Sequence, residues 1–377
     1  MNYYIAVVIS LVLCTSAHTQ TSQNDAIKAF NEAVGHFKNK DFQQAITYYT
    51  KAIEINPDYS KAYYNRGNAK LNLKDYDGAL EDFQFVIGID PEFTKAYLYS
   101  GYVYMQKKEY KRAIKTYGYA LKLDPELQKA YLNRGTSYMK LKDYEQAISD
   151  LDQAIKLDPS KATAYYNRGV CHQNNGSYDK AIHDYSQALD IKATLTSIYK
   201  SRGKAYLKTE RYPEAIADFT AYLGKKPDDA SILYYRGYAK LMQEDLNGAN
   251  TDYKMALQVD PKHDAALKNK AITSFKLGLY EEAVKDYTNL IKVDRKNANY
   301  YANRGIAYIK IEDYHRAVGD FSSAIKINDK FAEAYYNRAN AHAQLQDDIK
   351  ACKDMKNAAR NGYEPAYGYI EDVCGGQ

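Results

Sequence analysis

One side-chain type recurs in this chain at a spacing that recognition chemistry can use. Asn31, Asn65, Asn133, Asn167, Asn269, Asn303 and Asn337 are separated by one constant interval, that between Asn31 and Asn65, or by multiples of it. A carboxamide carries both donors and an acceptor, so a row of them can pair with the backbone of a peptide of any sequence. Tyr99, Ser201 and Tyr235 interrupt the row. A second pattern follows the same register. Arg66, Arg134, Arg168, Arg202, Arg236, Lys270, Arg304 and Arg338 share one slot, and Asp82, Asp150, Asp184, Asp218, Asp252, Asp286, Asp320 and Asp354 share another. Where the base is replaced, by Glu32 and by Ser100, the acid is replaced too, by Tyr48 and Thr116. Matched exceptions predict a pair inside each unit, since pairing with the preceding unit would set Asp82 against Ser100. A planar guanidinium can meet a carboxylate at two points, so the pair reads as structural and not as a row of ligand-binding arginines.

Catalytic chemistry has no comparable pattern. There is no Gly-rich phosphate loop, no His-Glu-x-x-His and no nucleophile elbow. His36, His172 and His342 share one slot of the repeat in distant units and cannot converge on one site. The three cysteines beyond the leader, Cys171, Cys352 and Cys374, have no metal-ligand spacing. The chain therefore reads as no enzyme, with no cofactor, no metal and no small-molecule substrate.

The elements that position these slots follow from a third recurrence. Ala45, Ala79, Ala113, Ala147, Ala181, Ala215, Ala249, Ala283, Ala317 and Ala351 follow one another at the same interval, without a slip. A fixed period of this length marks a repeat architecture of small stacked units. In one unit, Ala130, Tyr131, Gly135 and Tyr138 fall at helical spacing, and so do Tyr144, Ala147, Leu151, Ala154 and Ile155. Leu141–Asp143 is a short polar turn between the two helices, and Asp158–Pro159 closes the unit. Proline has no amide hydrogen and fits poorly inside a helix, so it marks the boundary.

These features resemble the tetratricopeptide repeat. The likeness covers ten units: 26–59, 60–93, 94–127, 128–161, 162–195, 196–229, 230–263, 264–297, 298–331 and 332–365. The family's small slot on the first helix holds Gly67, Gly101, Gly135, Gly169, Gly203, Gly237 and Gly305, with Ala33, Ala271 and Ala339 in the other units. Its large slot on the second helix holds Tyr49, Phe83, Tyr117, Leu151, Tyr185, Phe219, Tyr253, Tyr287, Phe321 and Met355. The closing proline is missing at Ala193, Arg295, Asp329 and Tyr363. The fold this implies is all-α: an α-solenoid, a right-handed superhelix of ten antiparallel helix pairs. Glu364 to Val373 reads as a short final helix covering the exposed end.

The resemblance also implies that first helices line a concave groove. That places the asparagine row there, together with Tyr64, Tyr102, Tyr166, Tyr234 and Tyr238. The row is similar to the asparagine ladder with which such arrays grip extended polypeptides. The alternative is that each amide bonds the neighbouring unit. Lys61, Lys95 and Lys129 recur near the groove's edge. The clamp by which some members hold a chaperone's C-terminal carboxylate wants lysine where this chain has Tyr64, Leu98 and Leu132, which argues against that function. The function expected is a non-catalytic scaffold holding an extended segment of a partner protein, the alternative being an assembly adaptor that uses edges and convex face.

Composition agrees with a protein partner. The net charge is +5 among 377 residues, too mild for nucleic acid. There are 41 tyrosines and no tryptophan, because the repeat's aromatic slots are filled by tyrosine. Ahead of Asp25 the chain carries no Asp, Glu, Lys or Arg, and Ile5 to Cys14 is apolar, followed by small and polar residues. This resembles a secretory signal peptide too short to span a bilayer. The expected organisation is a signal peptide at 1–19, a short leader at 20–25, repeats at 26–365 and a cap and tail at 366–377. The expected location is exported, with no transmembrane segment after cleavage; without a signal peptide it would be cytoplasmic. An exported chain could join Cys352 to Cys374.

Overall fold

The computed structural model describes residues 23–374. Residues 1–22, which include the expected signal peptide and half of the short leader, and residues 375–377 of the expected tail lie outside them.

Among the described residues the secondary structure is helical throughout. Helix α1 covers 23–38. It is followed by α2 (Phe42–Ile55), α3 (Ser60–Asn72), α4 (Tyr76–Ile89), α5 (Thr94–Gln106), α6 (Tyr110–Leu123), α7 (Gln128–Lys140), α8 (Tyr144–Leu157), α9 (Ala162–Asn174) and α10 (Tyr178–Ile191). Then come α11 (Thr196–Lys208), α12 (Tyr212–Leu223), α13 (Ala230–Met242), α14 (Leu246–Val259), α15 (Asp264–Lys276), α16 (Tyr280–Val293), α17 (Ala298–Lys310), α18 (Tyr314–Ile327), α19 (Ala332–Gln344), α20 (Asp348–Arg360) and α21 (Pro365–Val373). Odd and even helices through α20 are the first and second helices of the ten repeats, and α21 is the expected cap. The chain forms two compact units, one ending at Thr194 and one beginning at Leu195.

The packing within a repeat explains the small residues. A Cβ added to Gly67 would stand 2.7 Å from the Phe83 ring, and one on Gly101 would stand 2.6 Å from Tyr117. On Gly135 and Gly237 it would also meet the carbonyl oxygens of Ala147 and Ala249 at 3.2 Å. The periodic alanines are thus where the second helix presses its backbone on the first, and all ten are buried. Each pair also packs on the next pair, so the core is continuous within a compact unit. First helices approach one another across units (α5 with α7, α7 with α9, α13 with α15) more closely than successive second helices do. The first helices therefore form the inner layer of each stack.

The turn inside every repeat has one shape. Its left-handed residue is Lys40, Lys74, Lys108, Lys142, Gly176, Glu210, Glu244, Gly278, Glu312 or Gln346, with φ between 57 and 76°. The residue that follows caps the second helix: Asp41, Asp75, Asp143, Asp245, Asp313 and Asp347 each accept a hydrogen bond from the amide three residues on. Between repeats the side chain of Asn56, Asp90, Asp124, Asp158, Asp260, Asp294 or Asn328 accepts from the amide two residues on. The Asx turn forms with the closing proline and also without it, at Arg295 and Asp329.

All eight predicted base–acid pairs form within their units. Arg134 donates from Nε and Nη2 to the two Asp150 oxygens at 2.8 and 2.7 Å, and the other arginines repeat this fork. Lys270 meets Asp286 at 2.6 Å. The third guanidinium nitrogen reaches back to the preceding unit: Arg66 to Thr50, Arg168 to Asp152, Arg304 to Thr288 and Arg338 to Ser322. In the exceptional third unit Ser100 is buried, and its hydroxyl has no hydrogen-bond partner among the described residues.

At the C-terminal end, Ala366, Tyr363, Tyr369 and Ile370 pack on Ala339, Met355, Ala358 and Ala359. A Cys352–Cys374 disulfide ties this cap to α20. Cys171 is a free thiol, fully buried on α9, and burial pushes its pKa up to about 12.

Candidate functional site

The asparagine slot lies on the inner layer of first helices. Asn31 is exposed, and Asn65, Asn133, Asn167, Asn269, Asn303 and Asn337 are half-buried. Several of the amides touch the preceding unit. Asn167 Nδ2 donates to Thr136 Oγ1 at 3.0 Å, and Asn269 Nδ2 donates to the Tyr253 hydroxyl at 3.4 Å. Asn303 stands against the Tyr287 hydroxyl, whose pKa burial pushes up to about 12. Asn133 faces the buried Tyr117 hydroxyl, without a well-aligned bond. The large-slot hydroxyls of Tyr253 and Tyr287 are thus met by the amide of the next unit. Such a bond uses one of the carboxamide's N–H groups and leaves the other, with the carbonyl oxygen, for the face.

Two interruptions of the row pack on the preceding large slot instead, although Asn337 follows Phe321 at the same offset. Where the large slot holds Phe83 or Phe219 there is no hydroxyl to serve, and the next unit supplies Tyr99 or Tyr235, ring against ring at 5.9 and 6.2 Å. Each partner stands at one offset from the large slot, Tyr99 from Phe83 as Asn133 from Tyr117, but residue type alone does not mark the pairing, since Asn337 follows Phe321.

The predicted tyrosines divide by environment. Tyr64 packs among Phe83, Phe93 and Tyr99, and burial raises its pKa to about 12. Tyr166 leans on Tyr185. Tyr234 is wedged between Tyr235, Tyr253 and His263. Tyr238 is half-buried on α13, and Tyr102 is the exposed one, at 36%. Tyr102 and Asn133 meet across α5 and α7, where with Leu98, Tyr99 and Lys129 they line a pocket of about 200 Å³. Leu98 and Tyr99 were absent from the predicted site. In the second compact unit, Lys200 and Lys204 on α11 stand over the rings of Tyr222 and Tyr235 at 5.4 and 4.9 Å. Neither lysine was singled out from sequence.

Among the described residues no cluster of His, Cys, Asp and Glu is placed to hold a metal. No described helix is long and apolar enough to cross a membrane.

Family profiles described as TPR repeat match residues 36–74, 101–142, 135–176 and 273–312. Profiles described as tetratricopeptide repeat match 60–93, 162–194, 201–264 and 302–353. A comparison with curated proteins returned no match. Among solved structures, MamA is 30% identical over 43% of this chain and 94% of its own, with a TM-score of 0.41. The C-terminal part of a TPR repeat-containing protein from Cytophaga hutchinsonii is 21% identical over 64% of this chain and 98% of its own, with a TM-score of 0.55. That likeness is one of fold. With the small, large and alanine slots in register through ten helix pairs, the chain belongs to the tetratricopeptide-repeat family.

Proposed function

We propose that this protein is a non-catalytic scaffold that holds an extended segment of a partner protein along its first helices. The observation that carries this is the pocket between α5 and α7, where an exposed tyrosine and a half-buried carboxamide converge. Tyrosine combines apolar area with a hydroxyl and suits a recognition surface. The amide beside it can pair with backbone groups whatever the sequence. We further propose that the protein is exported. The Cys352–Cys374 bridge supports this, since disulfides persist in oxidising compartments.

A second reading has its own support. Ile89, Leu123, Leu157 and Ile191 are exposed at the ends of successive second helices. Such a stripe suits an adaptor that works through its outer edge.

Site-specific photocrosslinking in the native host separates the two. A crosslinker at Tyr102 should capture a partner, one at Leu157 at the end of α8 should not, and Asn133→Ala should reduce the Tyr102 yield. Capture from Leu157 and none from Tyr102 would overturn the groove in favour of the edge.

A further inference from the structure

The first helices are unevenly charged. Helices α3, α5, α7, α9, α11, α13 and α17 contain no Asp or Glu. The carboxylates of the array lie chiefly on second helices and turns, and the ladder aspartates are buried under their arginines. A partner lying on the first helices therefore meets few negative charges.

Helix α11 concentrates this asymmetry. Lys200, Lys204 and Lys208 are four residues apart and share one side of the helix. Lys200 has a counter-ion, Asp229, at 2.8 Å. That carboxylate is also occupied by the Tyr222 hydroxyl at 2.9 Å and the Ile232 amide at 3.2 Å. Lys204 has no carboxylate within 4.0 Å among the described residues. It is half-buried, with its ammonium over the Tyr235 ring at 4.9 Å. Burial, then the neighbouring Lys200 charge, hold its pKa below the usual lysine range. A partly desolvated ammonium with a ring beside it and no carboxylate paired to it is stabilised by an anion that arrives.

We propose that the face formed by Lys200, Lys204 and Lys208 with Tyr235 binds an acidic segment of the partner protein, Lys204 taking a partner carboxylate. This rests on the scaffold reading above and adds the partner's charge. Nucleic acid fits less well. It needs a series of cations along its phosphates, and the arginines of α11, α13 and α17 are spent on Asp218, Asp252 and Asp320. The net charge of the chain is only +5.

The test uses the full chain and four fluorescein-labelled probes: dodecapeptides alternating Gly with Glu, Ser or Lys, and an oligothymidine of equal length. Anisotropy should show the Glu peptide bound at least about tenfold tighter than the Ser peptide, with affinity falling as salt rises. Lys204→Glu should lose at least about tenfold for the Glu peptide, and Lys204→Gln, which keeps the bulk, an intermediate amount. Lys262→Glu, an equal charge change in the α14–α15 turn, should leave binding unchanged. Ser or Lys peptides bound as tightly as Glu would overturn the acidic partner while leaving the scaffold reading standing. Binding of no peptide would sink both. Tighter, Lys204-dependent binding of the oligothymidine would overturn the proposal in favour of nucleic acid.

Discussion

Replacing Asp150 by alanine strands a guanidinium. In the folded protein Arg134 gives two hydrogen bonds to Asp150, at 2.8 and 2.7 Å. The side chains are 23% and 7% exposed, so the pair is nearly dry on the acid side. Breaking such a pair from one side costs about 3–5 kcal/mol. Arg134 keeps some water and the Tyr131 ring at 5.7 Å, which places Asp150→Ala at the low end, about 3 kcal/mol. Arg134→Leu leaves a buried carboxylate with less relief and should cost about 4 kcal/mol. The double variant removes the stranded charge as well and should lose about 2 kcal/mol, less than Asp150→Ala alone. The two single losses should therefore sum to about 5 kcal/mol more than the loss of the double, well above what independent sites give. Native-state hydrogen exchange of α7 and α8 amides is the suitable assay, because a long repeat array need not unfold as one cooperative unit. Additive losses, within about 0.5 kcal/mol, would refute the pairing argument. A comparison sharpens it. Asp252 retains Lys240 at 2.8 Å, so Arg236→Leu should cost less than Arg134→Leu.

Two Gly→Ala changes that meet nothing within 4 Å should have opposite signs. Gly176 sits at φ 75°, so Ala there should cost about 1 kcal/mol, whereas Gly88, inside α4, should gain about 0.5–1 kcal/mol as Ala; melting temperatures check both. His172 and His342 have pKa values lowered below 6.5, chiefly by burial. The unfolded chain then binds more protons, so their contribution is complete above pH 6.5 and falls as pH drops through the lowered values; melting between pH 7.5 and 5.5 should flatten in the His172→Gln/His342→Gln variant, and an unchanged slope contradicts this. Asp218 and Asp286, raised by burial, act oppositely, their contribution being complete below pH 3.8 and lost as pH rises through the raised values. Reducing the bridge between Cys352 and Cys374, 22 residues apart, should destabilise the cap by about 3 kcal/mol, read as faster exchange in α20 and α21 but not in α17.

What the sequence made legible was whatever occupied a fixed slot with a fixed chemistry. The alanine register located every repeat because a helix contact at that point admits no larger residue. The Arg–Asp pair could be assigned because its partners disappear together, in the units of Glu32 and Ser100. The left-handed turn residue escaped notice since Lys, Glu, Gln and Gly all fill it: backbone geometry is imposed by the cap that follows and leaves little mark on residue type. The back-reaching arginine contact was hidden because Thr, Ser and Asp all accept it. The asparagine row was read for its outward chemistry. Its inward bond needed Tyr253 and Tyr287 to be seen one unit earlier, as neighbours in space. Lys204 is conspicuous only once Asp229 is seen to be taken by Lys200.

The arginine that reaches both ways gives the array a sense of direction. Arg304 holds Thr288, which precedes it in the chain, and Asp320, which follows it. A chain emerging from synthesis N-terminus first presents that arginine when the earlier hydroxyl is in place and the later carboxylate has yet to be made. Each new first helix can therefore fasten to the finished stack before its own partner helix exists. Growth of the array and growth of the polypeptide then run the same way, and the bridge between Cys352 and Cys374 closes the last step.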